Sequence, residues 1–259
     1  MKNDAMRAIK HKVAKAVSFA LAITFFVLCC MVGNTCYQTY KVEQDANQLR
    51  RVRSFVAEGA EEKDWSNGML AINPDYAGWL TCYGTKADGP VVQGETNDTY
   101  LRTNFYGEKS KAGTLFVDSA VDLTQDGNVI IYGHKMHDDT MFGSLEQYKD
   151  KTFFEENGVV LWQDRTGDHF YKIFAVMVLP GGASSSSFVD IASMANSPDA
   201  ETQAAMLQTI ENRASLYRDL ECSETDKYIF LVTCDYTRTD GRLVVVGREV
   251  SASEVNSNA

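Results

Sequence analysis

Residues 16–33 form a run of eighteen residues without a charged side chain. That length is near the lower limit for a bilayer-spanning helix, and in lipid a single segment must satisfy its backbone hydrogen bonds as a helix. Five basic residues and one acidic residue precede the run, so the positive-inside rule places the N-terminus in the cytoplasm and the bulk of the chain outside. We therefore predict a cytoplasmic basic segment at 1–15 and an uncleaved signal anchor at 16–34. A cleaved signal peptide is the competing interpretation, and the length of the run disfavours it.

The remainder of the chain is acidic, with 20 Lys and Arg against 34 Asp and Glu after residue 15. Binding to nucleic acid requires a basic face, so this balance argues against a nucleic-acid partner. Roughly 220 residues follow the anchor, which is enough for one large domain with a substantial core. We predict a helical linker at 35–65, a single domain at 66–252 and a short tail at 253–259, and we find no internal repeat.

Strand signals are dense in the predicted domain. Short apolar or alternating segments bounded by turn residues predict strands at 76–82, 90–93, 113–118, 128–132, 158–162, 170–178, 228–233 and 243–246. Helical patches are predicted at 141–148 and near Phe153, and a long helix at about 199–220. This pattern predicts a mainly β fold, a closed or nearly closed barrel with peripheral helices.

The six cysteines do not form a metal-binding or disulfide framework. Cys29 and Cys30 lie in the apolar run, and no CxxC pair is present, so no zinc site is predicted. A bridge between Cys82 and Cys222 stays open at this level, because it depends on their distance in the fold.

Three polar residues stand at the ends of predicted strands: His134, Cys234 and Arg242. Singly, they are compatible with a strand-end histidine, an inert core cysteine and a surface arginine. Together they are the parts of a thiol acyl-transfer site, in which a thiolate attacks a carbonyl, an imidazole transfers protons and a guanidinium stabilises the oxyanion. The other histidines of the domain, His137 and His169, are predicted to lie in solvated loops.

These motifs resemble the sortase family, and specifically its class B, over about residues 79–248. The blocks that carry the resemblance are Gly78-Trp79-Leu80, Pro90-Val91-Val92-Gln93, Tyr132-Gly133-His134-Lys135-Met136, Met141-Phe142-Gly143-Ser144-Leu145 and Leu231-Val232-Thr233-Cys234. The helix at 199–220 resembles the class B insertion. One departure is Phe230, which stands where the family's cysteine motif usually has Thr.

The resemblance implies a cysteine transpeptidase of a Gram-positive-type cell surface. It implies that Cys234 attacks the Thr carbonyl of a C-terminal sorting signal, His134 acts as general acid and then base, and Arg242 binds the oxyanion. By position, Asn97, Leu101, Thr233 and Asp235 resemble residues that line the substrate groove.

The implied partners are surface proteins with an Asn-Pro-x-Thr-type signal, a peptidoglycan precursor or pilin lysine amine as acceptor, and the membrane through the N-terminal helix. No cofactor and no metal are implied. The sequence leaves open pilin polymerisation, hydrolysis by a tethered cysteine peptidase that uses water, and a non-enzymatic surface scaffold with a degenerate site.

Overall fold

The computed structural model describes residues 2–59, 64–125, 127–180, 189–196, 199–235 and 241–256. By contacts, the chain divides into two units, Met1–Gln48 and Leu49–Ala259. The second unit contains every strand and both hydrophobic clusters of the described residues. It begins at Leu49, which is buried, whereas the sequence predicted a domain start at 66.

The first helix contains the predicted anchor. Its segment Lys15–Arg51 is long and apolar enough to cross a membrane, judged by length and composition. Within the described residues the helices are α1 (Lys2–Gly59), α2 (Asp64–Ile72), a 3₁₀ helix (Gly143–Lys149), α3 (Lys151–Glu156), α4 (Ile191–Ala195), α5 (Ala200–Arg213) and α6 (Ala252–Asn256).

The strands form one sheet that closes on itself. Within the described residues they are β1 (Tyr76–Cys82), β2 (Asp88–Val92), β3 (Leu115–Val117), β4 (Val129–Tyr132), β5 (Val159–Gln163), β6 (Asp168–Pro180), β7 (Ala214–Tyr217), β8 (Tyr228–Asp235) and β9 (Gly241–Val250). Their order is β5-β1-β2-β3-β4-β8-β9-β6-β7, and a further pairing of β5 with β6 closes an eight-stranded barrel. The predicted β-barrel class is therefore confirmed. β7 is an extra strand that pairs with β6 outside the closed ring.

Strand β8 lies between β4 and β9 and reads as an almost continuous apolar run, Tyr-Ile-Phe-Leu-Val-Thr. A strand buried on both faces has this pattern, and its residues from Tyr228 to Leu231 are fully buried. Its pairing with β4 is parallel and its pairing with β9 is antiparallel. This central strand carries the cysteine singled out in the sequence, Cys234, one residue before its end.

Two helical predictions differ from the structure. The helix predicted at 199–220 is present as α5, but it ends at Arg213 because the next residues pair with β6, where Leu216 lies opposite Val176. The helical linker was predicted over 35–65, but α1 ends at Gly59 and a separate helix, α2, begins at Asp64 and continues to Ile72. Met69 explains α2, because its side chain is fully buried in the cluster around Trp79, and packing outweighs the low helix propensity of Gly and Asn.

Candidate active site

The parallel pairing of β4 and β8 brings the histidine and cysteine segments to the same edge of the barrel. Tyr132 is in register with Val232, and the Gly133 amide donates to the Val232 carbonyl at 3.2 Å. His134 and Cys234 each follow two residues later. Because parallel strands run in the same direction, both residues lie at the carboxyl ends of neighbouring strands.

Arg242 reaches this edge from the opposite direction. β8 and β9 are antiparallel, and Cys234 is paired directly with Arg242. The guanidinium is half-buried and donates to the Gly241 carbonyl at 3.1 Å. Cys234 and Asp235 are described through their backbone, and residues 236–240 between the two strands lie outside the described residues. The register thus gathers the three residues predicted from separate motifs.

Gly133 is required by the packing that surrounds His134. A Cβ atom at this position would lie 2.5 Å from a Leu115 methyl carbon and 2.8 Å from the Phe142 ring. The following loop then returns to the histidine, where the Phe142 amide donates to the His134 carbonyl at 3.0 Å. The imidazole therefore projects from a loop that a backbone hydrogen bond closes and that packs against buried side chains.

The ring of His134 is oriented by a backbone carbonyl. Its Nε2 lies 2.7 Å from the Leu101 carbonyl oxygen. Since a carbonyl can only accept, Nε2 must carry a hydrogen and donate it. Leu101 was predicted to line a groove, and the structure places its backbone in direct contact with the imidazole.

Asn97 forms a polar cluster with Asp118 and Tyr132. The Asn97 amide and the Tyr132 hydroxyl both donate to Asp118 Oδ2, each at 3.0 Å. Burial, and then the Asp118 carboxylate, raise the pKa of Tyr132, while the nearby Arg242 guanidinium acts in the opposite sense. Sequence reasoning missed Asp118. The available signal was an acidic residue placed directly after the apolar strand Leu-Phe-Val.

Two further predicted groove residues lie on β8. Thr233 is buried, and its hydroxyl finds no hydrogen-bond partner among the residues that the structure describes. Asp235 pairs through its backbone with Gly241 at the end of the ladder. Both positions flank Cys234 in the chain.

Cys82 and Cys222 are free thiols, so the structure contains no bridge between them. Burial raises the pKa of both thiols, to about 11 for Cys222, which keeps them protonated and poorly nucleophilic near neutral pH. Among the described residues, no three His, Cys, Asp or Glu side chains gather as a metal-binding group.

The opposite end of the barrel has its own polar cluster. His169 was predicted to be solvated, and this was wrong: its Nδ1 lies 2.7 Å from Glu249 Oε1, and its Nε2 lies 3.4 Å from Asp164 Oδ1. Hydrogen bonds to Asp164 and Glu249 raise the pKa of His169 to about 9. His169 and Asp164 border a cavity of about 270 Å³ near the starts of β4 and β8, away from Cys234.

Comparisons with known proteins identify one family. A family model described as the sortase domain matches residues 83–250. Sortase B of Listeria monocytogenes is 32% identical over 195 residues, which cover 74% of this chain and 76% of that protein. Sortase B of Staphylococcus aureus is 28% identical over 185 residues, or 70% of this chain and 73% of that protein.

A solved structure shows the same fold. The crystal structure of a mutant form of Clostridium perfringens sortase B is 31% identical, with a TM-score of 0.72. The match covers 81% of this chain and 98% of that one.

Proposed function

The chain belongs to the sortase family, within class B, and we propose that it cleaves a C-terminal sorting signal after Thr through a thioacyl intermediate on Cys234. The protein is a cysteine transpeptidase by family. The observation that carries the specific proposal is the convergence of His134, Cys234 and Arg242 at one edge of the barrel, through the β4–β8 and β8–β9 pairings.

In the first half of the reaction, the Cys234 thiolate attacks the carbonyl carbon of the Thr residue. The tetrahedral intermediate collapses, the C–N bond breaks, and the leaving amine takes a proton from His134. In the second half, an incoming amine loses its proton to His134 and attacks the thioester. An amide forms, and the Cys234 thiolate is released.

The Leu101 contact supports different roles for the two nitrogens of His134. Nε2 donates to the Leu101 carbonyl at 2.7 Å, in the neutral and in the cationic imidazole alike. The transferable proton therefore resides on Nδ1, which gives it to the leaving amine and takes it from the acceptor amine. The carbonyl also fixes the plane of the ring, so that Nδ1 keeps one direction throughout the cycle.

Arg242 serves the oxyanion. Its position opposite Cys234 brings a fixed positive charge to the site where the tetrahedral intermediate forms. A guanidinium presents several N–H donors in one plane, which suits both the oxyanion and a substrate backbone carbonyl.

The groove that holds the sorting signal includes Asn97, Leu101, Thr233 and Asp235. Support comes from the contact between the Leu101 carbonyl and the His134 imidazole. The class B relationship favours an Asn-Pro-x-Thr-type signal.

The cellular setting follows from α1 and the charges that precede its apolar segment. The basic residues at 1–15 stay in the cytoplasm, the span anchors the protein, and the barrel faces the cell exterior. There the substrates are secreted proteins with a C-terminal sorting signal. The acceptor is the amine of a peptidoglycan precursor, or a pilin lysine if the enzyme polymerises pilins.

The test uses the full-length protein in detergent micelles with quenched fluorescent peptides of Asn-Pro-x-Thr and Leu-Pro-x-Thr type. Mass spectrometry follows the acyl adduct on Cys234, with and without an amine acceptor. We expect cleavage and an adduct in the wild type and in Cys222→Ala, and neither in Cys234→Ala. A transpeptidation product requires the amine, whereas an exclusively hydrolysed product would indicate a tethered peptidase. Cleavage that survives Cys234→Ala would refute the assignment of the nucleophile.

A further inference from the structure

Asp118 is a buried carboxylate immediately after β3, with 1% of its surface exposed. Three neutral groups donate to it: the Ala120 amide to Oδ1 at 2.8 Å, and the Asn97 amide and Tyr132 hydroxyl to Oδ2 at 3.0 Å each. Burying a carboxylate is costly unless its oxygens are hydrogen-bonded. The Asp118 carboxylate therefore requires these donors to stay within hydrogen-bonding distance.

The two side-chain donors belong to the two segments that meet at the catalytic imidazole. Asn97 lies four residues before Leu101, whose carbonyl accepts from His134. Tyr132 ends β4, two residues before His134. Asp118 thus joins the loop that orients the imidazole to the strand that carries it.

The orientation of the Asn97 amide is determined by two partners. Its Nδ2 donates to the Asp118 carboxylate, and its Oδ1 accepts from the Ser119 amide at 2.8 Å. The backbone of Asp118 is itself fixed, because its amide donates to the Ile130 carbonyl of β4 at 2.9 Å and its carbonyl accepts from Gln93 at 3.0 Å. Asn97 is therefore held against a rigid part of the barrel.

Tyr132 is equally constrained. Its ring packs against Phe116 with a centroid distance of 5.3 Å, and its hydroxyl reaches Asp118. Because burial and the Asp118 carboxylate raise the pKa of Tyr132, the phenol keeps its hydrogen and remains a donor. The positive charge of the Arg242 guanidinium acts on the same phenol and opposes this rise in its pKa.

We propose that Asp118 is a positioning residue of the transpeptidase site, which sets the Asn97–Leu101 loop against β4 and thereby the groove wall and the imidazole together. This inference rests on the proposed function, because its readout is cleavage of a sorting signal. Among the described residues, the hydrogen bonds of the Asp118 carboxylate go to neither His134 nor β8, and Asp118 acts through Asn97 and Tyr132.

The primary test compares Asp118→Asn with Asp122→Asn in the full-length protein in micelles. The Asn side chain has nearly the same shape, but its amide nitrogen cannot accept, so it faces either the Ala120 amide or the donors from Asn97 and Tyr132. Hydrogen bonds to a charged group contribute more free energy than those between neutral groups. We therefore expect kcat/KM for the peptide to fall about tenfold to 100-fold. Asp122 is the matched control: it is exposed, lies on the same loop, and accepts from its local neighbours Thr124 and Gln125.

A double-mutant cycle separates positioning from general stability. If Asp118 acts through Asn97, the pair Asp118→Asn with Asn97→Ala should lose little more kcat/KM than the worse single variant, because the first change already releases the amide. Losses that simply multiply would contradict the proposal. Thermal unfolding checks that each variant is folded at the assay temperature.

If Asp118→Asn does not fold, Tyr132→Phe provides the test, since it removes one donor and keeps the carboxylate. Reduced kcat/KM supports the role, and a wild-type value overturns it. Wild-type kcat/KM in a folded Asp118→Asn variant overturns this inference and leaves the transpeptidase intact. Failure of the wild type to cleave any sorting peptide refutes the proposed function, and the role of Asp118 falls with it.

Discussion

Cys234 and Arg242 are direct partners across the antiparallel β8–β9 ladder. Directly opposed residues occupy neighbouring positions on one face of a sheet, about 4.5–5.5 Å apart at Cβ. The arginine position is therefore set by the register of two long strands rather than by the segment that connects them. Eight consecutive residue pairs maintain that register, from Tyr228–Arg248 to Asp235–Gly241.

The first prediction concerns the shape of the cation. Arg242→Lys keeps the positive charge but replaces a planar fork of donors with a compact ammonium, so we expect kcat/KM for a sorting peptide to fall about 100-fold or more. Arg248→Lys is the matched control, because Arg248 lies on the same strand at the opposite end of the ladder. Near-normal turnover by Arg242→Lys would remove the guanidinium from the mechanism.

A second prediction tests the packing of the residue that precedes His134. Gly133→Ala places a methyl group against Leu115 and Phe142, and overpacking of this kind costs about 1–3 kcal/mol of unfolding free energy. We also expect lower kcat, because relief of the contact must shift the chain next to His134. Urea unfolding and peptide cleavage measure the two effects. Gly89→Ala is the control, since its added Cβ would meet no atom within 4 Å. Equal behaviour of the two variants would contradict the packing argument.

The third prediction is a pH dependence of stability from the cluster remote from Cys234. The folded-state pKa of His169 is raised from 6.5 to about 9 by Asp164 and Glu249, so its stabilising effect is complete below about pH 6.5 and is lost as the pH rises through about 9. Burial opposes the shift of Asp164, but hydrogen bonds from His169 and Thr166 lower the pKa of that carboxyl from 3.8 to about 2. The carboxylate contribution is therefore present above about pH 4 and is lost as the pH falls through about 2.

His169→Gln should accordingly destabilise the fold by about 1–3 kcal/mol near pH 6 and by much less at pH 10. Denaturant unfolding of both proteins across this range measures the difference. A wild-type advantage that is constant with pH would show that the imidazole is not charged in the folded protein. Peptide cleavage at neutral pH should be nearly unchanged, because this cluster lies at the opposite end of the barrel.

Much of the barrel could be predicted from local patterns. All eight barrel strands were expected, with boundaries within two residues except for β9, which continues to Val250. Alternating apolar and polar residues, and short apolar runs, indicate which residues are buried. The strands of a closed sheet all bury at least one face, so these patterns predict them. β7 could not be predicted, because residues 214–217 continue a helical pattern and become a strand only through pairing with β6.

Part of the candidate site could also be predicted from local patterns. A polar residue at the beginning or end of an apolar strand is visible in sequence, which singled out His134, Cys234 and Arg242 as candidates. Their convergence depends on strand order, and no local pattern reveals that β4 lies beside β8. The ion pair of His169 with Glu249 and the Asn97 donor to Asp118 likewise depend on partners distant in the chain.

The last prediction concerns Asp88, which connects the end of α1 to the barrel. Its carboxylate accepts from Trp79 Nε1 at 2.8 Å and from the Thr81 hydroxyl at 2.9 Å, and it pairs with Arg50 at 3.0 Å. Arg53 lies 3.8 Å from the same carboxylate and 4.7 Å above the Trp79 ring. Because Trp79 is fully buried, loss of the carboxylate leaves an indole N–H without its acceptor in the core.

Asp88→Ala should therefore lower the unfolding free energy by about 2–4 kcal/mol, the sum of an unsatisfied buried donor and lost charge-assisted hydrogen bonds. Arg50→Ala should cost less, about 1 kcal/mol, because the pair is partly exposed and solvent screens it. Denaturant unfolding measures both, with the exposed Glu156→Ala as control. If Asp88→Ala were no more destabilising than Glu156→Ala, the end of α1 would not be held through this carboxylate.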